Sequence, residues 1–336
     1  MKLQLLKNQL FHKGPSHLVL HVTSRCNRSC QTCFVRTRDA APTGEISLSE
    51  IKTLAEGLNN LIFVDIGGGE PFLRSDLPEI CAAFKTRYLS IPTNGFDPER
   101  IHHTITEIQK KAAAILSISV SLDGFEKTND AIRGAGSFQN ALQTILSLKK
   151  IPGIYLKINT VLSDRNYPEI IAFMEYTRTL APDFHSIIFL RGKPRNESVK
   201  CPSVKELADI KEKVLAIWKT YGYGQRGLDQ FFLRNYHRNM YASSLRVMRE
   251  SRQTPPCLAH KHHLVVYPNG DAAFCEMLEP FGNILRTALP RLLRQEKAIE
   301  QVRRIKIGGC FCYHNCNLMD NYFLNLWQYP KLLLGL

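Results

Sequence analysis

The chain has 336 residues, 44% hydrophobic and 22% charged, the balance of a soluble globular protein with room for one large domain or two ordinary ones. Lys and Arg outnumber Asp and Glu by 44 to 30, a formal charge of +14, which admits an anionic partner such as nucleic acid, an acidic membrane face or a phosphorylated substrate without choosing among them. The opening stretch is broken by Lys7 and His12 and has no cleavage site behind it, and no uninterrupted apolar run of about 18 residues exists, so neither a secretory signal nor a membrane span is expected. A cytoplasmic location follows, where thiols stay reduced; ten cysteines there argue for metal or catalysis rather than disulfides.

An N-terminal segment, 1–16, precedes the first strand and is too short for a separate leader-binding domain. From residue 17 short apolar runs alternate with amphipathic ones. HLVLHVT (17–23), LIFVDI (61–66), YLSIPT (88–93), ILSISVSL (115–122), IYLKINTVL (154–162) and HSIIFL (185–190) read as strands. Helices are expected over 47–60, with Ser47 or Ser49 as cap, and over 77–87, 99–113, 137–150, 167–180 and 203–222. Such alternation implies a parallel sheet with right-handed crossovers. Six units in about 175 residues fall short of the roughly 250 that an eight-unit barrel takes. The expected fold is α/β, a partial (β/α)6 TIM-like barrel over 17–222 with a small cysteine-rich C-terminal extension. A basic, aromatic helical connector spans 223–256 and ends at Pro255-Pro256; the segment 257–336 holds five cysteines, a hairpin over 263–277, a helical stretch over 289–306 and an apolar tail.

After the first strand comes TSRCNRSCQTCF, with Cys26, Cys30 and Cys33 in a C-x3-C-x2-C spacing. A structural zinc takes four ligands and a disulfide two, so three thiols leave a place unfilled. They suit three corners of a [4Fe–4S] cluster whose fourth iron stays open, or a zinc loop completed by a distant ligand. GGGEPFLR (67–74) follows the second strand, and SISVSLDGFEKTNDAIRGAGSF (117–138) contains the fourth. With these motifs in this order, the chain resembles the radical SAM superfamily. The resemblance implies a [4Fe–4S] cluster on Cys26, Cys30 and Cys33 that binds S-adenosylmethionine (SAM). It also implies SAM contacts from Gly68, Gly69, Glu70, Asn94, Ser119, Ser121, Asp123 and Asn159, with Glu70 accepting from the methionine ammonium. Gly68, Gly69, Asn94, Asp123 and Asn159 have a plainer reading as turn residues. The residue before the third cysteine, commonly aromatic in the family, is Thr32 here, and Phe34 follows instead.

Cys257, Cys275, Cys310, Cys312 and Cys316 form the second group. With Gly270 five residues before Cys275, they resemble the SPASM/twitch extensions that hold auxiliary clusters, and their number suits one auxiliary [4Fe–4S] cluster. The expected ligands are Cys257, Cys275 and Cys316, with Cys312 or Cys310 as the fourth; four thiols on a zinc are the alternative. Cys81 reads as a core residue and Cys201 as incidental, and His260, His262 and His263 as surface or supporting groups.

The resemblance implies reductive cleavage of SAM to a 5′-deoxyadenosyl radical that abstracts hydrogen from a substrate, by default a peptide. An electron donor such as flavodoxin or ferredoxin is implied as partner. A lipid-linked or phosphorylated small molecule is the runner-up substrate, because 228–252 interleaves aromatic residues with arginines and would suit a membrane or anionic surface as well as a cap on the barrel. A basic, zinc-containing nucleic-acid-binding protein without catalysis is the reading from another class.

Overall fold

The structure is a computed structural model and describes residues 14–35 and 44–334, so most of the 1–16 segment lies outside the described residues. Six strands run in chain order: β1 (His17–Thr23), β2 (Phe63–Gly68), β3 (Tyr88–Thr93), β4 (Ile115–Ser121), β5 (Tyr155–Leu162) and β6 (Phe184–Phe189). Neighbours pair in parallel throughout. The crossovers carry α1 (Leu48–Glu56), α2 (Leu77–Ala83), α3 (Pro98–Lys111), α4 (Glu126–Arg133), α5 (Ser137–Leu148) and α6 (Ile170–Thr179). Local signals start these helices where expected. Ser47 forms a capping box with Glu50, and Asp97 caps α3 with Pro98 in the first turn. The helix α4 lies inside the stretch read only as a motif.

The C-terminal segment joins the barrel sheet. After α7 (Val204–Trp218) and α8 (Gly227–Glu250), a short helix α9 (Ala259–His262) leads to β7 (His263–Val266). β7 pairs in parallel with β1, from His17 opposite His263 to Leu20 opposite Val266. β8 (Asp271–Ala273) and β9 (Gly282–Asn283) follow antiparallel, giving nine strands in the order β6-β5-β4-β3-β2-β1-β7-β8-β9. The helical stretch after β9 is broken at 293–295 into α10 (Leu289–Leu292) and α11 (Glu296–Lys306), and α12 (Asn315–Phe323) and α13 (Tyr329–Leu334) were not foreseen.

The seam of the partial barrel is closed by α8 and α12. Along α8, His237 packs 4.1 Å from Phe184 and Tyr241 5.1 Å from Phe189, both on β6. On α12, Phe323 stacks on Phe63 of β2 and on Phe232 of α8. The aromatic residues of 228–252 therefore serve mainly to pack against the barrel. Of the apolar tail, Leu324 and Leu332 are buried, and Trp327 and Leu334 are exposed.

Register fixes which side chains share a face. Asp65, Ser90, Ser117 and Tyr155 lie in one row; Pro92, Ser119, Lys157 and Phe184 in the next; Ser121, Asn159 and Ser186 in a third. On β3 and β5 this face is half-buried, while the opposite face, Leu89, Ile91, Leu156 and Ile158, is fully buried under the helices. Barrel interiors are ordinarily filled by bulky branched residues. Here Ser90, Ser117, Ser119, Ser121 and Ser186 take such positions beside Asp65, Lys157 and Asn159, so the inner face, the lumen of the barrel, is polar.

Candidate active site

The cysteine loop sits at the C-terminal end of β1, and neighbouring elements grip it from three directions. From the β2 side, Gly69 N donates to Thr23 O at 2.8 Å and Glu70 N to Arg25 O at 2.9 Å. The glycines are needed for this contact. A Cβ on Gly68, whose φ is +110°, would lie 2.3 Å from Thr23 O, and one on Gly69 2.0 Å from Arg25 O. From the end of α4, Ile132 O accepts from Gln31 N at 2.8 Å and Ala135 O from Arg28 at 3.0 Å. From the segment after β6, Arg195 N donates to Cys33 O at 2.9 Å and Asn196 N to Gln31 O at 3.0 Å. The loop thus holds Cys26 exposed and Cys30 and Cys33 half-buried, none of them in a disulfide.

The expected SAM contacts divide into two sets. Glu70 is 4% exposed, and its carboxylate already accepts from Thr93 Oγ1 at 2.9 Å, Asn94 N at 2.7 Å and Phe72 N at 3.3 Å. Burial pushes its pKa up to about 7 against those bonds. Glu70 is therefore a latch between the β2 and β3 ends. Asp123 is fully buried, with Oδ1 accepting from Val161 N and Oδ2 from Arg133, both at 2.7 Å, which ties the end of β4 to β5 and α4. Asn94 reaches over the loop: its Nδ2 donates to Asn27 Oδ1 at 2.7 Å and lies 3.9 Å from Cys26 Sγ. Ser119, Ser121 and Asn159 line the lumen beneath the loop.

Sequence reasoning missed Arg133, which was visible only as one letter of the RGAGSF run. The bond from Gln31 to Ile132 brings the end of α4 beside Cys30. Burial pushes the Cys30 thiol up, and the Arg133 guanidinium pulls it back toward the thiolate. Thr32 is buried and the adjacent Phe34 turns outward, its ring 4.5 Å from the Arg191 guanidinium and 6.3 Å from His314. Phe34 thereby links the cysteine loop to the C-terminal segment.

In the second cysteine group, the amide of Asn317 lies 2.9 Å from Cys275 Sγ and 3.7 Å from Cys312 Sγ. Cys257 is acted on electrostatically by both Cys312 and Cys310. Cys316, expected among the ligands, is placed differently: its thiol donates to Asp65 Oδ2 at 3.7 Å, toward the lumen. The reason is helical geometry. Cys316 lies in the first turn of α12, and Asp320, four residues on, turns the same face toward β1 and β2. Asp320 accepts from His17 Nδ1 at 2.9 Å, and His17 Nε2 lies 3.1 Å from Asp65. Burial opposes the charge on His17, but Asp320 and then Asp65 outweigh it and raise its pKa to about 10. His262 and His263 are buried rather than at the surface. Ligand atoms of His17, His263 and Asp320 lie within 4.8 Å of one another. With both nitrogens of His17 engaged by carboxylates and its ring stacked 4.6 Å from that of His263, the group is an ion-pair bracket that ties α12 to the barrel.

The model of the radical SAM superfamily matches residues 20–177, the span that carries the cysteine loop, the glycine loop and the Asp123–Arg133 pair. Residues 20–177 of this chain are a radical SAM domain. Among curated relatives, it is 30% identical over 221 residues to the Fe-coproporphyrin III synthase of Methanosarcina barkeri, covering 59% of this chain and 54% of the relative. It is 30% identical over 173 residues to the mycofactocin maturase MftC of Mycobacterium tuberculosis, covering 48% and 42%. The chain spans about half the length of the curated relatives it matches. Among solved structures, SuiB of Streptococcus suis bound to S-adenosylmethionine aligns with a TM-score of 0.65 at 19% identity, over 90% of this chain and 71% of that one. Native anSMEcpe with bound AdoMet aligns at 0.62 and 16% identity, over 96% and 99%. These two establish the fold, a partial barrel of the radical SAM kind.

A radical SAM domain over residues 20–177 counts against the reading as a nucleic-acid-binding protein without catalysis. The residues present also suit the cluster that such a domain implies: three thiols outside any disulfide on one gripped loop, with a buried cation beside Cys30. No helix among the described residues is long and apolar enough to cross a membrane.

Proposed function

We propose that this chain is a radical SAM enzyme whose Cys26, Cys30 and Cys33 hold the SAM-binding [4Fe–4S] cluster and whose serine-lined lumen receives the substrate. Bound there, the cluster supplies reductive cleavage of SAM and, through it, hydrogen-atom abstraction from the substrate. The chain's own residues bind and position. The three thiols are the ligands, and Arg133 favours the thiolate of Cys30. The latch from Glu70 to Thr93 and Asn94 holds the glycine loop against the cysteine loop. Ser119, Ser121 and Asn159 offer hydroxyl and amide groups to SAM or substrate, and the α8–α12 closure keeps bulk water from the seam. The observation that carries the proposal is the three-sided grip on the cysteine loop directly above a polar lumen.

Cys257, Cys275, Cys310 and Cys312 are proposed as auxiliary [4Fe–4S] ligands, supported by the amide of Asn317 that reaches two of those thiols. The cytoplasm would supply the reducing environment and a flavodoxin or ferredoxin the electron. A peptide is the favoured substrate: a maturase is among the relatives, and a solved structure of SuiB, alike in fold, holds the precursor peptide SuiA. A small anionic molecule is the second reading, favoured by Lys157 in the lumen, which makes no hydrogen bond or ion pair among the described residues, and by the synthase among the relatives. Anaerobically reconstituted, dithionite-reduced protein should carry about eight irons, as two cubane clusters require, and turn SAM into 5′-deoxyadenosine. Colourless protein with stoichiometric zinc would sink the proposal. Mass spectrometry of reactions with peptide and small-molecule fractions of a cell extract then separates the two substrates.

A further inference from the structure

Two charged groups face the lumen with capacity to spare. Asp65 uses Oδ2 for both His17 and Cys316, and Oδ1 accepts no hydrogen bond among the described residues. Its side chain is 25% exposed, and the charge of His17 helps to hold it ionised against burial. Lys157 stands on the inward face of β5, paired in register with Ser119 on one side and Phe184 on the other. The residue is half-buried, and its ammonium makes no hydrogen bond or ion pair among the described residues. Burial opposes its charge, and only the more distant Asp65 and Cys316 support it. An amine held in a low-dielectric space without a partner is costly unless something completes it. The neighbouring inward positions, Ser90, Ser117, Ser119 and Ser186, carry short side chains, and none of them bonds to it among the described residues.

We propose that Lys157 is a substrate anchor that binds an anionic oxygen group, a carboxylate or a phosphate, inside the barrel. Asp65, fixed as an anion through His17, fills the opposite role: its open oxygen accepts from an N–H or O–H of the same substrate. The two charges together orient the substrate, acid group toward β5 and donor toward β2, beneath the cysteine loop. This rests on the radical SAM reading for the nature of the cavity, and it narrows the substrate to a molecule with an acidic group and a donor.

The test is amine acetylation of the full-length, anaerobically purified protein with limiting reagent, read residue by residue by mass spectrometry. Succinate serves as the carboxylate probe and inorganic phosphate as the phosphate probe. Succinate should slow labelling of Lys157 about tenfold, which is 1.4 kcal/mol of protection, and leave surface Lys205 unchanged. Protection by phosphate alone keeps the anchor and assigns it to phosphate. Equal rates at Lys157 with and without both anions, or a uniform slowing of every lysine, overturn the proposal. Calorimetry adds a second reading: Lys157→Arg should retain binding of the protecting anion and Lys157→Met lose it. Neither measurement needs SAM cleavage, so failure here is distinct from a wild-type protein that makes no 5′-deoxyadenosine.

Discussion

The two cysteine groups are held in opposite ways. Cys26, Cys30 and Cys33 sit on one short loop that has little structure of its own, and its position comes from the glycine loop, the end of α4 and the segment after β6. Cys257, Cys275, Cys310 and Cys312 come from segments up to 55 residues apart in the sequence, and Cys275 and Cys312 meet at Asn317. Thiols on one short loop leave a face open to a second molecule; thiols gathered from several segments can surround what they hold. If both groups hold clusters as proposed, the first is built for exchange and the second for retention.

The largest effect that would break this contrast is expected at Gly69. Its Cβ would meet a backbone oxygen of Arg25, which can move only with the cysteine loop. Gly69→Ala should cost about 100-fold in 5′-deoxyadenosine formation, as a misplacement near 1 Å does elsewhere, with the auxiliary irons kept. Next, Cys312→Ala should lose about four irons, one cubane, while Cys316→Ala keeps them. Iron analysis of the two variants decides between Cys316 as ligand and Cys316 as a lumen thiol.

A third variant sharpens the role of Arg133. Arg133→Met leaves the fully buried Asp123 without its partner, which costs about 3–5 kcal/mol of stability by denaturant unfolding. The smallest effect expected is on pH dependence. The folded-state pKa of His17, about 10, lies above the unfolded value near 6.5, so its stabilising contribution is complete below about 6.5 and fades as pH rises through 10. Thermal unfolding temperatures should therefore fall from pH 7 to 10, and less steeply in His17→Gln.

Much of this was legible in the sequence. The βα alternation marks itself by the change between the two periodicities, and Ser47 with Glu50 announces α1. The cysteine and glycine motifs located the loop and the element that grips it. What sequence could not show is direction. Glu70 and Asp123 are acidic residues at strand ends in a candidate site, and only the fold reveals that their oxygens accept from Thr93, Asn94, Val161 and Arg133. Cys316 has plausible ligand spacing, yet the pitch of α12 points it at Asp65. Lys157 sits unremarked in a strand, because register with Ser119 and Phe184, and not spacing, puts it in the lumen. The pairing of β7 with β1 is likewise a long-range event with no local signal.

The central claim is that the loop at 26–33 alone holds the SAM-cleaving cluster. The most direct measurement is 5′-deoxyadenosine production by dithionite-reduced Cys26→Ala protein that has kept its auxiliary irons. The account predicts none above the enzyme-free background; production at the wild-type rate would contradict it.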